Sequence, residues 1–376
     1  MSRFTPPAEL QVSDHERGIL DLVRRAGSIS QSQVSHGGHL SQQSMHRIIT
    51  GLLKRGLLLA GPPLPGAGPG KPSPSLRLAP EAAYSIGMTI NTDSAVVALT
   101  GLNCELLEEV RLRFPPLSRA STLERLQATL ARLCQRNAVP RERLIGVGLA
   151  INGYFVAERR QINAPESLRD WSLVDLQPLL EDTFALPVWI ENSVSAAAVG
   201  ESLCGAGLWA RSFAYLGFNY GFGGGLVIKG EPFFGAHGNA GELSSLLTQE
   251  EQDARPALRS LLETLQGNGI DVDSIEDIWL RFDPQWPGVN DWVERVTPTL
   301  NRVINALSSI LDPEAIVFGG QLPAALGELL MARVEYWGGH RYGVRPSRPR
   351  LVMGQQQHDT AARGAALIPM RTCFFL

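Results

Sequence analysis

The 376-residue chain is 44% apolar, enough for a small domain plus a larger one with its own buried core. No apolar run approaches the roughly 18 residues of a membrane span, and the start MSRFTPPAELQVSDHERG lacks the hydrophobic stretch of a secretory leader, so a cytoplasmic protein without a membrane partner is expected. Cys104, Cys134, Cys204 and Cys373 stand singly, which excludes the paired spacings of a cysteine zinc site or a redox motif.

The formal charge of −3 hides an asymmetry. Residues 1–80 hold nine Lys/Arg against four Asp/Glu, a net +5, so the remainder carries −8. A basic head on an acidic body suits a partner that is a DNA operator, because neutralising phosphates supplies most non-specific affinity.

In that head, Ser13 and Glu16 have capping-box spacing ahead of Ile19, Leu20, Leu22 and Val23, which predicts a helix over 14–26 that Gly27 stops. A short helix over 30–35 and a break at His36-Gly37-Gly38-His39 follow, then a third helix capped by Ser41. Met45, Ile48, Ile49, Leu52 and Leu53 fall on one stripe of it. The opposite face is therefore Gln42, Gln43, Ser44, His46, Arg47 and Thr50, donors and acceptors suited to base edges in a major groove. A protein-docking adaptor is the competing reading of the three helices.

Leu57–Leu59 and Leu76–Leu78 predict two short wing strands. Between them lies GPPLPGAGPGKPSPS, in which ten of fifteen residues are Gly or Pro; it is either a plain linker or an arm carrying Lys71 to the DNA. The expected division is a helix-turn-helix head over 1–60, a wing and linker over 61–80, and a body over 81–376.

The body reads as strands at 84–90, 95–100 and 106–114, a helix over 122–136 and a strand at 144–150. A second round follows, with strands at 188–191, 213–218, 225–228 and 315–318 and long helices between 255 and 311. Strands alternating with crossover helices indicate an α/β fold in two lobes with a cleft.

The ordered set LSQQSMHRIITGLLKRGLL, GKP, NAPESLRDW, PVWIENSVSAAAVGE, GFGGGLVIKGEPFFGAHGNAGELS, VFGG and AARGAAL resembles the ROK family of repressors, open reading frames and sugar kinases. The resemblance implies a winged helix-turn-helix joined to a two-lobed actin-like, ribonuclease-H-like sugar-kinase fold. It also implies a role in carbohydrate regulation, with a sugar effector and a homodimer or homotetramer. Residue by residue, the family's Asp-x-Gly-Gly-Thr phosphate turn corresponds to Thr89-Ile90-Asn91-Thr92-Asp93, and its catalytic Asp in Glu-Asn-Asp corresponds to Ser193 in Glu191-Asn192-Ser193. An acid beside phosphates and a hydroxyl in place of a general base imply no kinase activity and no nucleotide cofactor.

Asn192 and Glu242 match family residues that hydrogen-bond sugar hydroxyls, whereas the Gly-His expected after this Glu reads Ser244-Ser245. The cysteine-rich zinc loop that normally follows is replaced by LLTQEEQDARPALRSLLETL, so no metal is expected. Asn163 is either a pocket residue or a turn cap, and His237 and Asn239 are further pocket candidates beside Ser193. Gly221, Gly223, Gly224 and Gly225 read as a tight strand turn lining the cleft rather than a phosphate cradle, and His340 and His358 as surface residues. An active kinase with a regulatory head, and a DNA-binding protein whose body only dimerises or docks, are the alternatives.

Overall fold

The computed structural model describes residues 7–36, 41–64, 73–91, 94–113, 118–339, 342–355 and 359–376. The Gly37-Gly38-His39 break, Lys71, Thr92, Asp93, His340 and His358 lie outside them.

The head forms α1 (Asp14–Ala26), β1 (Ile29–Ser30), α2 (Gln31–His36), α3 (Gln42–Lys54), β2 (Leu58–Pro63) and β3 (Pro74–Leu78). Both sides of the predicted capping box are made, Glu16 N to Ser13 Oγ at 3.4 Å and Ser13 N to Glu16 Oε2 at 2.8 Å, and Gly27 ends α1 at φ 66°. The sheet order is β1-β3-β2, so the ribbon has a third strand that the sequence reading lacked. Strand β2 also runs through Gly61, Pro62 and Pro63, where a loop is expected, with a register shift between Gly61 and Pro63. Pro lacks an amide donor, and it is tolerated here because β2 is an edge strand. Ile19, Leu20, Val23, Val34, Met45, Ile49, Leu52, Leu57 and Leu76 are buried, so the α3 stripe faces the head's interior as expected.

One contact between elements fixes α3 at its far end. Arg55, the residue that closes α3, donates to Gln11 O at 2.7 Å and pairs with Glu16, whose carboxylate also caps α1. With both side chains about four-fifths buried, Arg55→Ala is expected to cost about 1–3 kcal/mol. A lower urea midpoint for unfolding of the head checks this; an unchanged midpoint contradicts it.

Contacts divide the chain into two compact units: residues 1–151, 166–191 and 365–376 form one, and 152–165 and 192–364 the other. The head therefore groups with the first part of the body and the chain's last residues. In the first unit, β4 (Tyr84–Ile90), β5 (Ser94–Gly101) and β6 (Leu106–Arg113) form an antiparallel meander. After α4 (Arg119–Arg136), β7 (Leu144–Ile151) joins β4 in parallel. The second unit opens with a hairpin of β8 (Tyr154–Val156) and β9 (Gln161–Asn163), which the sequence reading lacked. The chain then returns through α5 (Leu176–Phe184) to β10 (Val188–Asn192), giving the first sheet the order β10-β7-β4-β5-β6.

Helix α6 (Ser193–Cys204) leads to β11 (Phe213–Phe218), β12 (Phe222–Ile228) and β13 (Glu231–Phe233). Next come α7 (Gln249–Asp253), α8 (Leu258–Gly267), α9 (Ile275–Arg281), α10 (Val289–Leu311), β14 (Ala315–Gly320), α11 (Ala324–Ala332), β15 (Arg350–Met353) and α12 (Thr360–Phe374). The second sheet runs β13-β12-β11-β14-β15, with β11, β14 and β15 parallel to one another. Each sheet is thus a three-strand meander extended by two further strands, one plan used twice. This is the duplicated ribonuclease-H-like pattern that the sequence reading expects.

The interior of the second unit shows why its sequence is so apolar. Leu258, Leu261, Leu265, Trp292, Val296, Leu300, Val303 and Ile304 from α8 and α10 pack with Leu216, Phe218, Ile316 and Phe318 of the sheet. Burying a large apolar side chain contributes roughly 1.5–3 kcal/mol, so this cluster anchors β11 and β14 firmly. Rigid strands there hold the connecting loops in place.

Candidate functional site

Two sets of predicted residues belong to separate places, one on the head and one in the second unit. On α3, Gln42, Gln43, His46, Arg47 and Thr50 are all exposed. The buried stripe forces that outcome, since residues on the other side of a 3.6-residue helix must point to solvent. Ser44 differs: it is half-buried, its amide donates to Ser41 Oγ at 3.2 Å, and its hydroxyl accepts from Ser41 Oγ at 3.0 Å. That serine is engaged in the start of the helix. Gln31 Nε2 lies 3.2 Å from His46 Nδ1, so an amide from α2 stands against the ring.

In the second unit the glycine-rich run is strand interior, which corrects the expectation of a tight turn over Gly223–Gly225. The turn is Asn219–Gly221, and Gly223, Gly224 and Gly225 pair with Gly217, Leu216 and Tyr215 of β11. Their bareness serves close packing on both faces. A Cβ on Gly225 would stand 2.9 Å from Val194 O of α6, and one on Gly224 would stand 2.8 Å from Leu243 Cδ1. Gly224 N donates to Gly241 O at 2.9 Å, and Gly241 adopts φ 97°, a conformation only glycine takes easily. The strand thereby draws the start of α6 and the Gly241–Leu243 turn onto itself.

That packing brings Asn192 and Glu242 together. Asn192 caps α6, its Oδ1 accepting from Val194 N at 2.8 Å and Ser195 N at 3.4 Å. Its Nδ2 donates to Gly153 O at 2.8 Å and lies 3.5 Å from Glu242 Oε1. Burial pushes the Glu242 carboxyl above the usual glutamate range. Ser193, the first residue of α6, is 5% exposed, and its hydroxyl finds no hydrogen-bond partner among the described residues. A carboxylate, an amide and a spare hydroxyl are groups that can bind a polyol.

The other predicted pocket residues lie on the β8–β9 hairpin and the 234–241 loop. Asn163 Nδ2 donates to the Tyr154 hydroxyl at 2.8 Å across the β8–β9 pair. Asn239 spans the backbone of Phe155, accepting from its N at 2.7 Å and donating to its O at 2.9 Å, so it ties the hairpin to the 234–241 loop. His237 is exposed on that loop. Sequence reasoning missed Arg159, whose guanidinium lies 4.3 Å from the Phe155 ring centroid and 5.3 Å from that of Phe234. Ala157, Glu158 and Arg159 all have positive φ, a strained turn that this stacking holds. The double Arg159-Arg160 shortly after Tyr154-Phe155 was the signal for it.

Of the predicted phosphate turn, Thr89 and Ile90 are buried inside β4, and Asn91 closes a β4–β5 hairpin with its N donating to Ser94 O at 2.9 Å. Where the family places its zinc loop, α7 stands instead, capped by Thr248 and Glu251, with Glu251 paired to Arg302 at 2.7 Å. Among the described residues no group of three His, Cys, Asp or Glu is placed to hold a metal, and no helix is long and apolar enough to cross a membrane.

The same architecture occurs in known proteins. The chain is 24% identical over 372 residues to an uncharacterized protein of Sinorhizobium fredii, covering 98% of this chain and 94% of that one. It is 21% identical over 330 residues to the DNA-binding transcriptional repressor Mlc of Escherichia coli, covering 82% and 80%. Among solved structures, a ROK family transcriptional regulator homologous to Escherichia coli Mlc superposes with a TM-score of 0.69 at 18% identity over 96% of each chain. A Streptomyces griseus ROK glucokinase solved with glucose and AMPPNP gives 0.64 at 20% identity, over 76% of this chain and 99% of that one. Residues 85–371 match the ROK family, and the chain belongs to it.

Proposed function

We propose that this chain is a DNA-binding transcriptional repressor whose kinase-like body binds a sugar or sugar derivative without phosphorylating it. The observation that carries the DNA half is the exposed Gln42, Gln43, His46, Arg47 and Thr50 face on a helix held from behind by a buried stripe. In support, the glucokinase covers 76% of this chain whereas the regulator covers 96% of it. Ser44 contributes through the helix start rather than through the DNA, and Lys71 is assigned to the phosphates. Two-fold operators would need a dimer, since one head reads one half-site.

Asn192 and Glu242 are the core of the effector site, with Ser193 offering a further hydroxyl. Asn163, Asn239 and His237 support it from the hairpin and the adjoining loop. The body's acidic balance keeps it off DNA, and the expected compartment is the cytoplasm.

Loss of phosphoryl transfer follows from Ser193. A serine hydroxyl near neutral pH cannot accept the proton of a sugar hydroxyl, and removing a positioned base forfeits about 10² to 10⁴ in rate. Purified protein with ATP, magnesium and a hexose panel is expected to release no ADP at the roughly 1–100 s⁻¹ typical of kinases. Hexose phosphate formed at such a rate would restore the reading of an active kinase with a regulatory head.

Titration calorimetry against D-glucose, D-xylose and N-acetyl-D-glucosamine tests the effector half. Saturable heat supports a sensor. Silence over a wide sugar panel favours a body that only dimerises or docks.

A further inference from the structure

Strand β6 forms one side of the first sheet: it pairs with β5 on one edge, and among the described residues no strand lies beyond it. An outermost strand keeps the amides and carbonyls of alternate residues turned away from its neighbour, which makes it a template for another strand. The register with β5 shifts once, near Leu106, and from Glu108 to Arg113 the pairing is regular. In that stretch Glu108, Val110 and Leu112 therefore share one face of the sheet, and Glu109, Arg111 and Arg113 share the other.

Helix α4 covers the first of these faces only in part. Arg136 pairs with Glu108 at 2.9 Å, and Asn137 Nδ2 donates to the same carboxylate at 2.7 Å, so that charge is answered within the chain. Beside it, Val110, Thr129, Arg132, Leu133 and Arg136 line a cavity of about 90 Å³. Val110 and Leu112 are only half-buried, whereas Val96, Val97 and Ala98 of β5, one strand further in, are fully buried. An apolar row at a sheet edge that its own helix leaves half open gains stability when something covers it.

We infer that β6 pairs antiparallel with β6 of a second copy of this chain, across a two-fold axis at Val110. The order of charges singles out that register. A two-fold axis perpendicular to the sheet keeps each face on its own side, so only residues of the same face can oppose one another. With the axis at Val110, Glu109 of each copy stands opposite Arg111 of the other, and the two Val110 side chains meet beside the cavity. Glu108, already paired with Arg136, stands opposite Leu112. Moving the axis to Glu108, Glu109 or Arg111 sets that residue against its own copy, and moving it to Leu112 opposes Arg111 with Arg113. Unlike charges directly opposite one another stabilise a strand pair and like charges destabilise it, so among these registers the Val110 one alone avoids repulsion. The occupant is a second copy because the strand is here its own complement. Such a pairing would supply the dimer that a two-fold operator needs, but it stands on the strand alone and is testable without DNA or sugar.

Sedimentation equilibrium of the full-length chain measures the pairing in wild type, Glu109→Arg, Arg111→Glu and the double exchange. Wild type is expected to dimerise at micromolar concentration. Each single variant turns both attractive pairs into repulsive ones and should raise the dimer Kd by about tenfold or more. An equimolar mixture of the two single variants should associate as wild type does, because each arginine of one chain then faces a glutamate of the other. The double exchange should do the same alone. If circular dichroism shows that a single variant does not fold, the double exchange decides: a dimer of wild-type strength supports the pairing and a monomer overturns it. Folded single variants that dimerise as tightly as wild type place the contact elsewhere and overturn it, as does a mixture of folded variants that stays monomeric. A monomeric wild type also overturns it and would leave the edge to a strand of another protein.

Discussion

Replacing Arg47 with alanine is expected to lower specific operator affinity by about 10- to 100-fold, because a guanidinium bridging a guanine edge is worth about 1–3 kcal/mol of discrimination. Arg47 is exposed on α3 beside Gln43 and His46, and the helix behind it is anchored by Met45, Ile49 and Leu52, each buried. The substitution therefore removes a contact without loosening the scaffold. Competition with scrambled duplex distinguishes base reading from phosphate binding. Loss confined to the specific site identifies a base contact, whereas an equal loss on both duplexes and a salt slope reduced by about one identifies a phosphate contact. Equal affinities of variant and wild type on both would remove α3 from the interface.

Glu242→Ala is expected to abolish saturable sugar binding while leaving DNA affinity in the absence of sugar unchanged. Hydrogen bonds from hydroxyls to a carboxylate are worth about 1.5–3 kcal/mol each, so losing two weakens binding by more than a hundredfold. The pH dependence follows from the same burial. The Glu242 carboxyl titrates above the usual glutamate range, so sugar affinity should fade at a higher pH on acidification than an ordinary glutamate would allow.

Stability runs the other way. A carboxyl whose folded pKa is raised stabilises the fold below its unfolded pKa and loses that contribution as pH rises through the folded value. At neutral pH the ionised carboxylate is a cost, so Glu242→Gln should raise Tm at pH 7 relative to wild type and not at pH 4. A Tm for Glu242→Gln below wild type at pH 7 would mean that the carboxylate is a structural partner and not a binding group reserved for ligand.

Local signals in the sequence carried most of the fold. The Ser13/Glu16 box, the Ser41 cap and the Met45 to Leu53 stripe placed α1 and α3 correctly, because caps and periodicity act within a few residues. Strand β11 was legible to the residue, since six apolar positions buried on both sides read as one run. Elements made by distant contacts were not. Strand β1 is two residues paired to β3 some 45 positions later, and the β8–β9 hairpin is tied down by Asn239, more than 75 positions further on.

The site was legible in part for the same reason. Asn192 and Glu242 stood out through the motifs, but the reason they meet lies in the bare strand between them. Gly223 to Gly225 read as a turn in sequence, where glycine usually means one, and act as a packing surface in the fold. Nothing near Cys373 in the chain announced that the Phe375 ring lies against Arg24 of α1, more than 350 residues away. Burial of that turn pushes the Cys373 thiol up to about 11, a mark of how deeply the last turn is set.

The most direct test of the central claim is a salt-dependent mobility shift of wild type and Arg47→Ala on DNA upstream of the chain's own coding sequence, with and without each sugar of the panel. A specific complex that Arg47→Ala weakens and one sugar alters is the predicted result. A chain that forms no specific complex at low salt, with or without sugar, would contradict it.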